Sequence, residues 1–371
     1  MTRVLLLTSH PLSPPWDSAD KQLAAAVARH VPGVRFCVLD RLGARAGGLG
    51  DWRLPVWSPS GQPSRLAHAQ VAALGLAAEP AVDLVHAVVT IGPGFGRLAR
   101  WHRRLPARLR RPVLHTAPGV TDPSALASAV PLGPTVALSE ATAARLRDAG
   151  FGDVRVVAPG IPLERWPMWR RPAGGPPMVL FAGHHDPGGG AEEALRGMAA
   201  ACAGTPLRAR LVLAMRSRPG QDARREAARL EGLAGALGLP DVRVLGHVAD
   251  MPSLIREATL VVLPARTLAG KADLPLVVLE AMAAGRPVVI SRLPSLAALG
   301  DAVTSVPPGS AAELGRAVAG LLDAPARWRA MAAAGRRAVE ERFSERAMAA
   351  SYARLYAEMH RRPVPTGAVA R

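Results

Sequence analysis

Short apolar runs alternate with stretches of helical periodicity through the first 165 residues of the chain. Continuous apolar runs are typical of parallel strands buried on both faces. Helices are predicted between them, at about Asp20–His30 and at Glu140–Ala149, where Ser139 is a suitable N-cap. The alternation predicts a doubly wound parallel sheet. Its strands are predicted at Val4–Ser9, Val34–Leu39, Asp83–Val89, Pro112–Thr116, Thr135–Leu138 and Val154–Val157.

The pattern breaks at Trp166–Pro177, whose Pro and Gly residues indicate a linker, and then restarts. The second set of strands is predicted at Met178–Ala182, Arg210–Ala214, Val242–Leu245, Leu260–Leu263 and Pro287–Ser291. The helices of this half are predicted at about Gly190–Ala203, Asp222–Gly238, Pro275–Ala284, Ala311–Leu322, Pro325–Arg342 and Ser344–His360. The chain is therefore expected to form two α/β domains with a ligand cleft between them.

Composition adds an expected partner and compartment. The net charge of +17 indicates an anionic partner, although a GC-rich genome that replaces Lys by Arg is an alternative source, since only two of the 46 basic residues are lysines. Cys37 and Cys202 lie in apolar contexts and predict core residues in a reducing compartment. No apolar run is long enough for a signal segment or a membrane span. We expect a cytoplasmic protein.

A glycine-rich loop follows the first strand of the second half and precedes a helix. Amide groups at a helix N-terminus, freed by glycines, favour an anion, and an ordinary flexible turn is the alternative. Arginines follow the next strand, where guanidinium groups suit a diphosphate but are equally typical of a solvated loop. The candidate residues are Gly183, His184, Gly188, Gly189, Gly190, Arg216 and Arg218.

Glu280 stands out in the segment from residue 264 to 291. It lies inside a short apolar helix, so its carboxylate needs a partner. The two hydroxyls of a ribose are a suitable partner, because a carboxylate accepts two hydrogen bonds. A neighbouring arginine is the alternative. Lys271 and Asp273 lie in the loop before this helix.

The segment LPLVVLEAMAAGRPVVIS, residues 274–291, resembles the core motif of the retaining GT-B glycosyltransferases of family 4, the glycosyl transferases group 1. Residues 139–166, residues 242–264 and the closing FSERAMAASYARLYAEM are similar to other parts of that family, in the same order. The resemblance implies two Rossmann-like domains: an acceptor domain at 1–165, a linker at 166–177, a donor domain at 178–342, and a helix and tail at 343–371 that cross back to the first domain.

The resemblance also implies transfer from a nucleotide-diphosphate sugar to an acceptor hydroxyl with retention of configuration and without a required metal or cofactor. Glu280 matches the second Glu of the family's Glu-x7-Glu motif, whereas the first falls on Ala272. The family's diphosphate-binding Arg and Lys fall on His184 and Gly189. We expect Leu274, Pro275 and Leu276 to help bind the donor.

Four residues are assigned to catalysis. Lys271 and Arg216 are expected to stabilise the leaving diphosphate, and Asp273 to contact sugar hydroxyls in place of the missing Glu. His115 ends a predicted strand and is a candidate in the acceptor domain, with a core histidine as the alternative. His86 has the same two interpretations. The acceptor-side candidates are Asp17, Asp20, Lys21 and His86.

Residues 97–111, RLARWHRRLPARLRR, carry seven arginines and Trp101. Acidic phospholipids would attract such a segment, which suits a peripheral enzyme at the inner membrane face with a lipid-linked acceptor. An Arg-rich surface helix is the alternative, and an acceptor sugar or small molecule remains open. The competing functions are a non-catalytic GT-B partner or binding subunit, a sugar-nucleotide epimerase, and a nucleic-acid-binding protein. The last lacks aromatics interleaved with its basic residues.

Overall fold

The structure is a computed structural model. It describes residues 1–9, 11–14, 16, 18–43, 49–58, 65–106, 110–121, 123–204, 208–217, 220–269 and 271–361. The chain divides into two compact units. Unit 1 contains Met1–Ile161, the short segment Ala269–Leu274 and the chain from Arg342 onward. Unit 2 contains Pro162–Leu268 and Pro275–Glu341. The helix at residues 345–361 is part of unit 1.

Unit 1 is built on a parallel sheet of seven strands in the order β3-β2-β1-β4-β5-β6-β7. Its central strands are mostly apolar, and β4 and β5 are buried along their whole length, including His86, His115 and Thr116. The strands are β1 Thr2–Thr8, β2 Val34–Arg41, β3 Trp52–Val56, β4 Leu84–Val88, β5 Val113–Ala117, β6 Thr135–Ala137 and β7 Val154–Val156. The helices up to this point are α1 Ala19–His30, α2 Arg65–Ala78, α3 Phe95–Arg104, α4 Pro123–Ala127 and α5 Glu140–Asp148.

Unit 2 is built on a parallel sheet of six strands in the order β10-β9-β8-β11-β12-β13. Its strands are β8 Met178–His184, β9 Arg210–Arg216, β10 Val242–Leu245, β11 Leu260–Leu263, β12 Val288–Ser291 and β13 Thr304–Val306. Its helices are α6 Ala191–Gly204, α7 Ala223–Ala236, α8 Met251–Glu257, α9 Leu276–Ala283, α10 Ala311–Leu322 and α11 Pro325–Arg342. The two-unit α/β architecture expected from the sequence is therefore present.

The last helix, α12 Glu345–Arg361, packs into the core of unit 1. Its apolar face contributes Met348, Tyr352 and Tyr356 to the cluster that also holds Leu23 and Phe36. The Glu345 carboxylate lies 2.7 Å from the His30 ring nitrogen of α1, which ties the start of α12 to the end of α1. Among the described helices, none combines the length and apolar character that crossing a bilayer requires.

Two strands, β3 and β13, were not predicted. Both are edge strands. β3 contains Pro55 and has mostly exposed or half-buried positions, and Pro is tolerated at a sheet edge because no ladder N–H is needed there. β13 has only three residues, two of them half-buried. Neither strand has the continuous apolar run that marks the central strands of a parallel sheet.

Candidate functional site

Glu280 lies in the middle of α9, between residues that enter the core. Val278, Leu279, Ala281 and Met282 are buried, whereas Glu280 is half-buried. Gly285 ends the helix at φ +69°, and a side chain there would also collide with Met168. The turn that this glycine permits directs the chain straight into β12. Glu280 is therefore fixed by packing on both sides along the helix.

The Glu280 carboxylate makes no hydrogen bond or ion pair with the described part of the chain. Desolvation raises the pKa of Glu280 to about 7, and the positive charge of Arg165 opposes the rise. A carboxylate held in this way has unused acceptor capacity. An arginine partner for Glu280 was the alternative. Arg165 acts on Glu280 only through its positive charge and forms no salt bridge with it. The geometry leaves Glu280 able to accept hydrogen bonds from a ligand.

The N-terminus of α9 is open. Pro275 is its N-cap residue and provides no side-chain hydrogen bond to the first turn. Leu276 is half-buried beside it, and Leu274 is fully buried in the adjoining segment of unit 1. The N–H groups at the start of a helix and the helix dipole favour an anion, and of the first-turn amides of α9 that of Val278 already donates to the Pro275 carbonyl at 3.0 Å. Of the three residues expected to help bind the nucleotide-sugar donor, Leu274 is buried in the core and Pro275 is the N-cap residue of α9.

Arg286 was missed by the sequence reasoning and positions α9 within unit 2. Its side chain is 1% exposed. The guanidinium donates to the carbonyls of Ala258, Trp169 and Arg170 at 2.8–3.1 Å and lies 5.6 Å from the Trp328 ring centroid. Burial lowers its pKa to about 10. The only sequence signal was an arginine between Gly285 and Pro287, next to the stop of α9.

The glycine-rich loop between β8 and α6 has a tight backbone path. Gly188 and Gly190 have φ values of +67° and +112°. A Cβ on Gly190 would lie 3.0 Å from the backbone nitrogen of Ala265. The Gly188 carbonyl accepts a hydrogen bond from the Arg266 amide at 2.8 Å. The glycines therefore let this loop pack against the chain that follows β11.

Part of the expected anion-binding capacity of this loop is already used. The Gly189 amide donates to the Asp186 carbonyl at 2.9 Å. The first turn of α6 carries two acidic residues, and one of them, Glu193, pairs with Arg266 through Nε at 2.5 Å. A Cβ on Gly183 would lie 2.8 Å from the Phe181 ring. Gly183 thus has a steric reason to be glycine, independent of any ligand.

His184 and Arg216 are neighbours across two strands. They are register partners at the carboxyl ends of β8 and β9, and both are half-buried. Ligands of open α/β sheets bind at the carboxyl ends of strands. Of the two residues where the family's cations were expected, only His184 has a polar side chain, and the sheet places Arg216 beside it. Arg218 lies outside the described residues.

Asp273 is held inside unit 1. It is 7% exposed, and the Ser139 hydroxyl donates to its carboxylate at 3.0 Å. The Asp273 amide donates to the Pro118 carbonyl at 3.2 Å. Burial raises the Asp273 pKa, and hydrogen bonds to Thr142 and Ser139 oppose the rise. The expected role of Asp273 in contacting sugar hydroxyls gains no support from this position, because its carboxylate is engaged at the N-terminus of α5.

Lys271 lies in the same segment and is half-buried. A Cβ on Gly119 would collide with the Lys271 carbonyl. The segment Ala269–Leu274 thus rests directly on the backbone of unit 1. Lys271 belongs to unit 1 and Glu280 to unit 2, because the boundary between the units falls between Leu274 and Pro275.

The acceptor-side candidates of the first loop are largely buried. Lys21 is 3% exposed and its ammonium group donates to the Ser13 carbonyl at 3.2 Å. Asp20 is 9% exposed in the first turn of α1. Lys21 therefore fastens the loop that precedes α1 to the helix, through Ser13. Asp17 lies outside the described residues.

His86 is a core residue, which corrects its assignment to acceptor binding. It is fully buried in β4. One ring nitrogen lies 2.6 Å from the Tyr356 hydroxyl and the other 2.8 Å from the Thr116 hydroxyl. Desolvation lowers its pKa to about 3. Both nitrogens are satisfied by the protein, so His86 joins β4 and β5 to α12 through a buried polar network.

His115 is also a core residue, which corrects its assignment to catalysis. It is fully buried, its Nε2 lies 2.8 Å from the Val89 carbonyl, and its ring stacks on Phe95 at a centroid distance of 4.7 Å. Burial lowers its pKa to about 4. The neutral ring is held by packing and by the hydrogen bond to Val89. The alternative that the sequence left open, a core histidine, fits both His86 and His115.

The two parallel-sheet α/β units give the chain the GT-B fold. Sucrose-phosphate synthase from Thermosynechococcus elongatus superposes with a TM-score of 0.74 at 20% identity, over 97% of this chain and 99% of that one. Anabaena HepE in complex with UDP and glucose superposes with a TM-score of 0.73 at 16% identity, over 96% and 100%. At these identities the likeness establishes the fold.

Sequence comparisons match the chain to glycosyltransferases. Residues 176–324 match the family model described as Glycosyl transferases group 1. D-inositol 3-phosphate glycosyltransferase 2 of Catenulispora acidiphila is 36% identical over 229 residues, 57% of this chain and 52% of that protein. Glycogen synthase of Mycobacterium tuberculosis is 29% identical over 227 residues, 56% and 49%. The chain spans about half the length of the curated relatives that it matches. The family match covers Glu280, Arg216 and the glycine-rich loop.

Proposed function

We propose that this chain is a hexosyltransferase-type glycosyltransferase that moves a sugar from a nucleotide-diphosphate sugar to an acceptor hydroxyl with retention of configuration. The observation that carries the proposal is Glu280, a fixed carboxyl with no hydrogen-bonding partner in the described chain and a pKa raised to about 7. It lies within the residues that match the family model. Structures of Anabaena HepE with UDP and with UDP-glucose support a nucleotide-sugar donor for the fold.

In the proposed donor complex, ionised Glu280 accepts hydrogen bonds from the ribose hydroxyls of the donor. Two charge-assisted hydrogen bonds fix the nucleoside. The open N-terminus of α9 and the guanidinium of Arg216 favour the diphosphate, whose negative charge grows as the bond to the sugar breaks. Stabilising that charge is the main catalytic contribution. Lys271 is proposed to neutralise the same charge, as expected from the sequence. The proposal assigns no metal.

The proposed acceptor is a hydroxyl of a sugar, a lipid-linked sugar or a small molecule. The acceptor hydroxyl attacks the anomeric carbon from the face that the diphosphate leaves, so the new glycosidic bond keeps the configuration of the donor. The hydroxyl proton is transferred to the leaving diphosphate, which keeps charge and atoms in balance. This retaining step is proposed from the resemblance of residues 274–291.

A thermal-shift panel of UDP-glucose, GDP-mannose, ADP-glucose and the matching nucleoside diphosphates tests the donor proposal. A ligand that binds the folded protein raises its melting temperature by mass action. We expect one nucleotide series to stabilise the wild type and to lose that effect in Glu280→Gln. Absence of stabilisation by every member, with the wild type folded, would contradict the proposal. The anomeric configuration of the product, measured by NMR, tests retention.

A non-catalytic GT-B binding subunit is the second candidate. It is favoured by the residues that replace the family's charged groups: His184 and Gly189 in place of Arg and Lys, and Ala272 in place of the first Glu. Such a subunit would bind the nucleotide through Glu280 but would not turn over. Donor hydrolysis or transfer above the rate of Lys271→Ala and Arg216→Ala excludes it.

A further inference from the structure

Helix α3 of unit 1 presents basic and apolar side chains together on its outer face. The exposed residues of the helix are Arg97, Leu98, Arg100, Trp101, Arg103 and Arg104. Leu98 and Trp101 are 42% and 45% exposed, which is high for side chains of this size. Because residues three apart lie on the same side of a helix, Leu98 and Trp101 form one apolar stripe next to the arginines.

The opposite face of α3 is fixed in the protein. Phe95 and Ala99 are buried in a core cluster. A Cβ on Gly96 would collide with the Ser128 carbonyl, so the helix backbone lies directly against that segment. His102 lies 3.1 Å from the Glu79 carboxylate. These contacts set the rotation of the helix about its axis and hold the stripe of Leu98 and Trp101 outward.

The sequence around α3 is poor in negative charge, and the Glu79 carboxylate that contacts His102 of the helix is buried. The sequence from residue 84 to residue 121 contains no Asp or Glu, although it contains seven arginines. The last turn of α3 carries His102, Arg103 and Arg104, where cations also favour the helix dipole. The nearest acidic residue in sequence, Asp83, is paired with Arg3. The arginines therefore produce a local positive field that is separate from the overall net charge of the chain.

We propose that the outer face of α3 docks on the surface of an anionic phospholipid bilayer. The arginines meet the phosphate and carboxylate headgroups, while Trp101 and Leu98 enter the boundary between headgroups and acyl chains. Amphipathic helices with Lys or Arg on the polar side and Trp or Leu on the other bind membranes in this manner. Trp is favoured at that depth because its ring is apolar and its N–H is polar.

A nucleic acid is a poorer match for this face. Polyanion binding would use the arginines, but the aliphatic Leu98 would gain nothing from a phosphate backbone. Phosphate contacts alone would make binding depend on charge and salt, without a contribution from the apolar stripe. A bilayer uses both halves of the face.

Docking through α3 would place unit 1 at the membrane. Where the proposed glycosyl transfer also holds, this docking selects a lipid-linked acceptor over a freely soluble one. That consequence rests on the proposed function, whereas membrane binding itself does not. Failure of the vesicle experiment would leave donor binding at Glu280 standing, and failure of donor binding would leave the vesicle result standing.

The test is co-sedimentation of the full chain with vesicles of phosphatidylcholine alone and of phosphatidylcholine with phosphatidylglycerol. We expect binding only to the anionic vesicles, with weaker binding at high salt. Each basic residue near an anionic surface strengthens partitioning by about fivefold. Reversing two arginines in Arg97→Glu/Arg104→Glu should weaken partitioning by at least about 25-fold. Equal partitioning of this variant and the wild type would overturn the proposal.

Two further variants separate membrane docking from general charge attraction. Arg224→Glu/Arg225→Glu on α7 makes the same change in net charge at exposed positions and should bind the anionic vesicles like the wild type. Trp101→Ser keeps every arginine and should weaken vesicle binding while leaving heparin binding unchanged. Wild-type vesicle binding by Trp101→Ser would show a polyanion surface instead and would overturn the membrane assignment. Circular dichroism confirms that each variant is folded.

Discussion

The Ser139 hydroxyl donates a hydrogen bond to the Asp273 carboxylate at 3.0 Å across 134 positions of sequence. The same Ser139 oxygen accepts a hydrogen bond from the Thr142 amide and caps α5. Asp273 therefore lies at the N-terminus of a helix, where the dipole favours its negative charge. This pair holds the segment Ala269–Leu274, and with it Lys271, in unit 1.

Ser139→Ala should destabilise the protein by about 2–3 kcal/mol, because it removes a helix cap and takes one of the hydrogen-bond donors away from a buried carboxylate. Urea denaturation measures the change. Ser310→Ala is the matched control: the Ser310 hydroxyl caps α10 in the same way, by accepting from the Glu313 amide, and has no carboxylate partner among the described residues. Its loss should cost about 1 kcal/mol. Equal costs for the two variants would contradict the role assigned to Asp273.

His86→Phe should lower stability at neutral pH by about 2–4 kcal/mol, because the Tyr356 and Thr116 hydroxyls lose a buried partner. The free energy of unfolding of this variant should also depend less on pH than that of the wild type. Folded His86 stays neutral down to about pH 3, whereas the unfolded ring takes up a proton below about 6.5. The stability that His86 contributes is complete above pH 6.5 and is lost progressively as the pH falls below that value.

Urea titrations between about pH 7 and pH 4.5 measure that response. The exposed His247 provides the control for the loss of one histidine, since His247→Gln should change the free energy of unfolding at neutral pH by no more than about 0.5 kcal/mol. If the His86→Phe slope matched the wild type, the buried network would not be the source of acid sensitivity.

Gly190→Ala should be strongly destabilising, by at least about 2 kcal/mol, since the position combines a positive φ with close backbone contact. Gly220→Ala isolates the first of these effects: Gly220 has a φ of +84°, and no atom of the described residues lies within 4 Å of the position that its Cβ would take. It should cost about 1 kcal/mol. Thermal melting compares the two. A cost for Gly190→Ala no greater than that for Gly220→Ala would show that the glycine-rich loop is not packed against Ala265.

Donor binding should strengthen as the pH rises through about 7, because the raised pKa of Glu280 leaves its carboxyl partly protonated below that point. Only the ionised group accepts two hydrogen bonds from a ribose. Stability of the unliganded protein should move in the opposite direction. The folded state retains the proton at pH values where the unfolded Glu has lost it, so stability decreases between about pH 4.5 and 7.

Isothermal titration of a nucleotide sugar at about pH 6 and pH 8 should give up to roughly tenfold tighter binding at the higher pH, because the ionised fraction of a carboxyl with a pKa of about 7 rises from roughly one tenth to roughly nine tenths. A nucleotide sugar is used because its diphosphate has no ionisation near neutral pH. Glu280→Gln should remove the dependence. A pH-independent affinity in the wild type would mean that Glu280 does not meet the ligand.

The sequence predicted the central strands because parallel strands buried on both faces have continuous apolar runs. It did not predict β3 and β13, since these two edge strands are short or interrupted by proline and lack that pattern. Glu280 was found because a carboxyl in an apolar helix is conspicuous in sequence alone. The partners of Asp273 and His86 were not predictable, because the bonding residues are 134 and 270 positions away. Long-range contacts of this kind are set by how strands and helices pack.

The central claim, donor recognition by Glu280, is tested most directly by calorimetric titration of the stabilising nucleotide sugar into wild type, Glu280→Gln and Glu231→Gln. Glu231 is exposed on α7 and controls for the loss of one negative charge. We predict a loss in affinity of about 10- to 100-fold for Glu280→Gln, from one or two charge-assisted hydrogen bonds, and wild-type affinity for Glu231→Gln. Wild-type affinity in a folded Glu280→Gln variant would contradict the account.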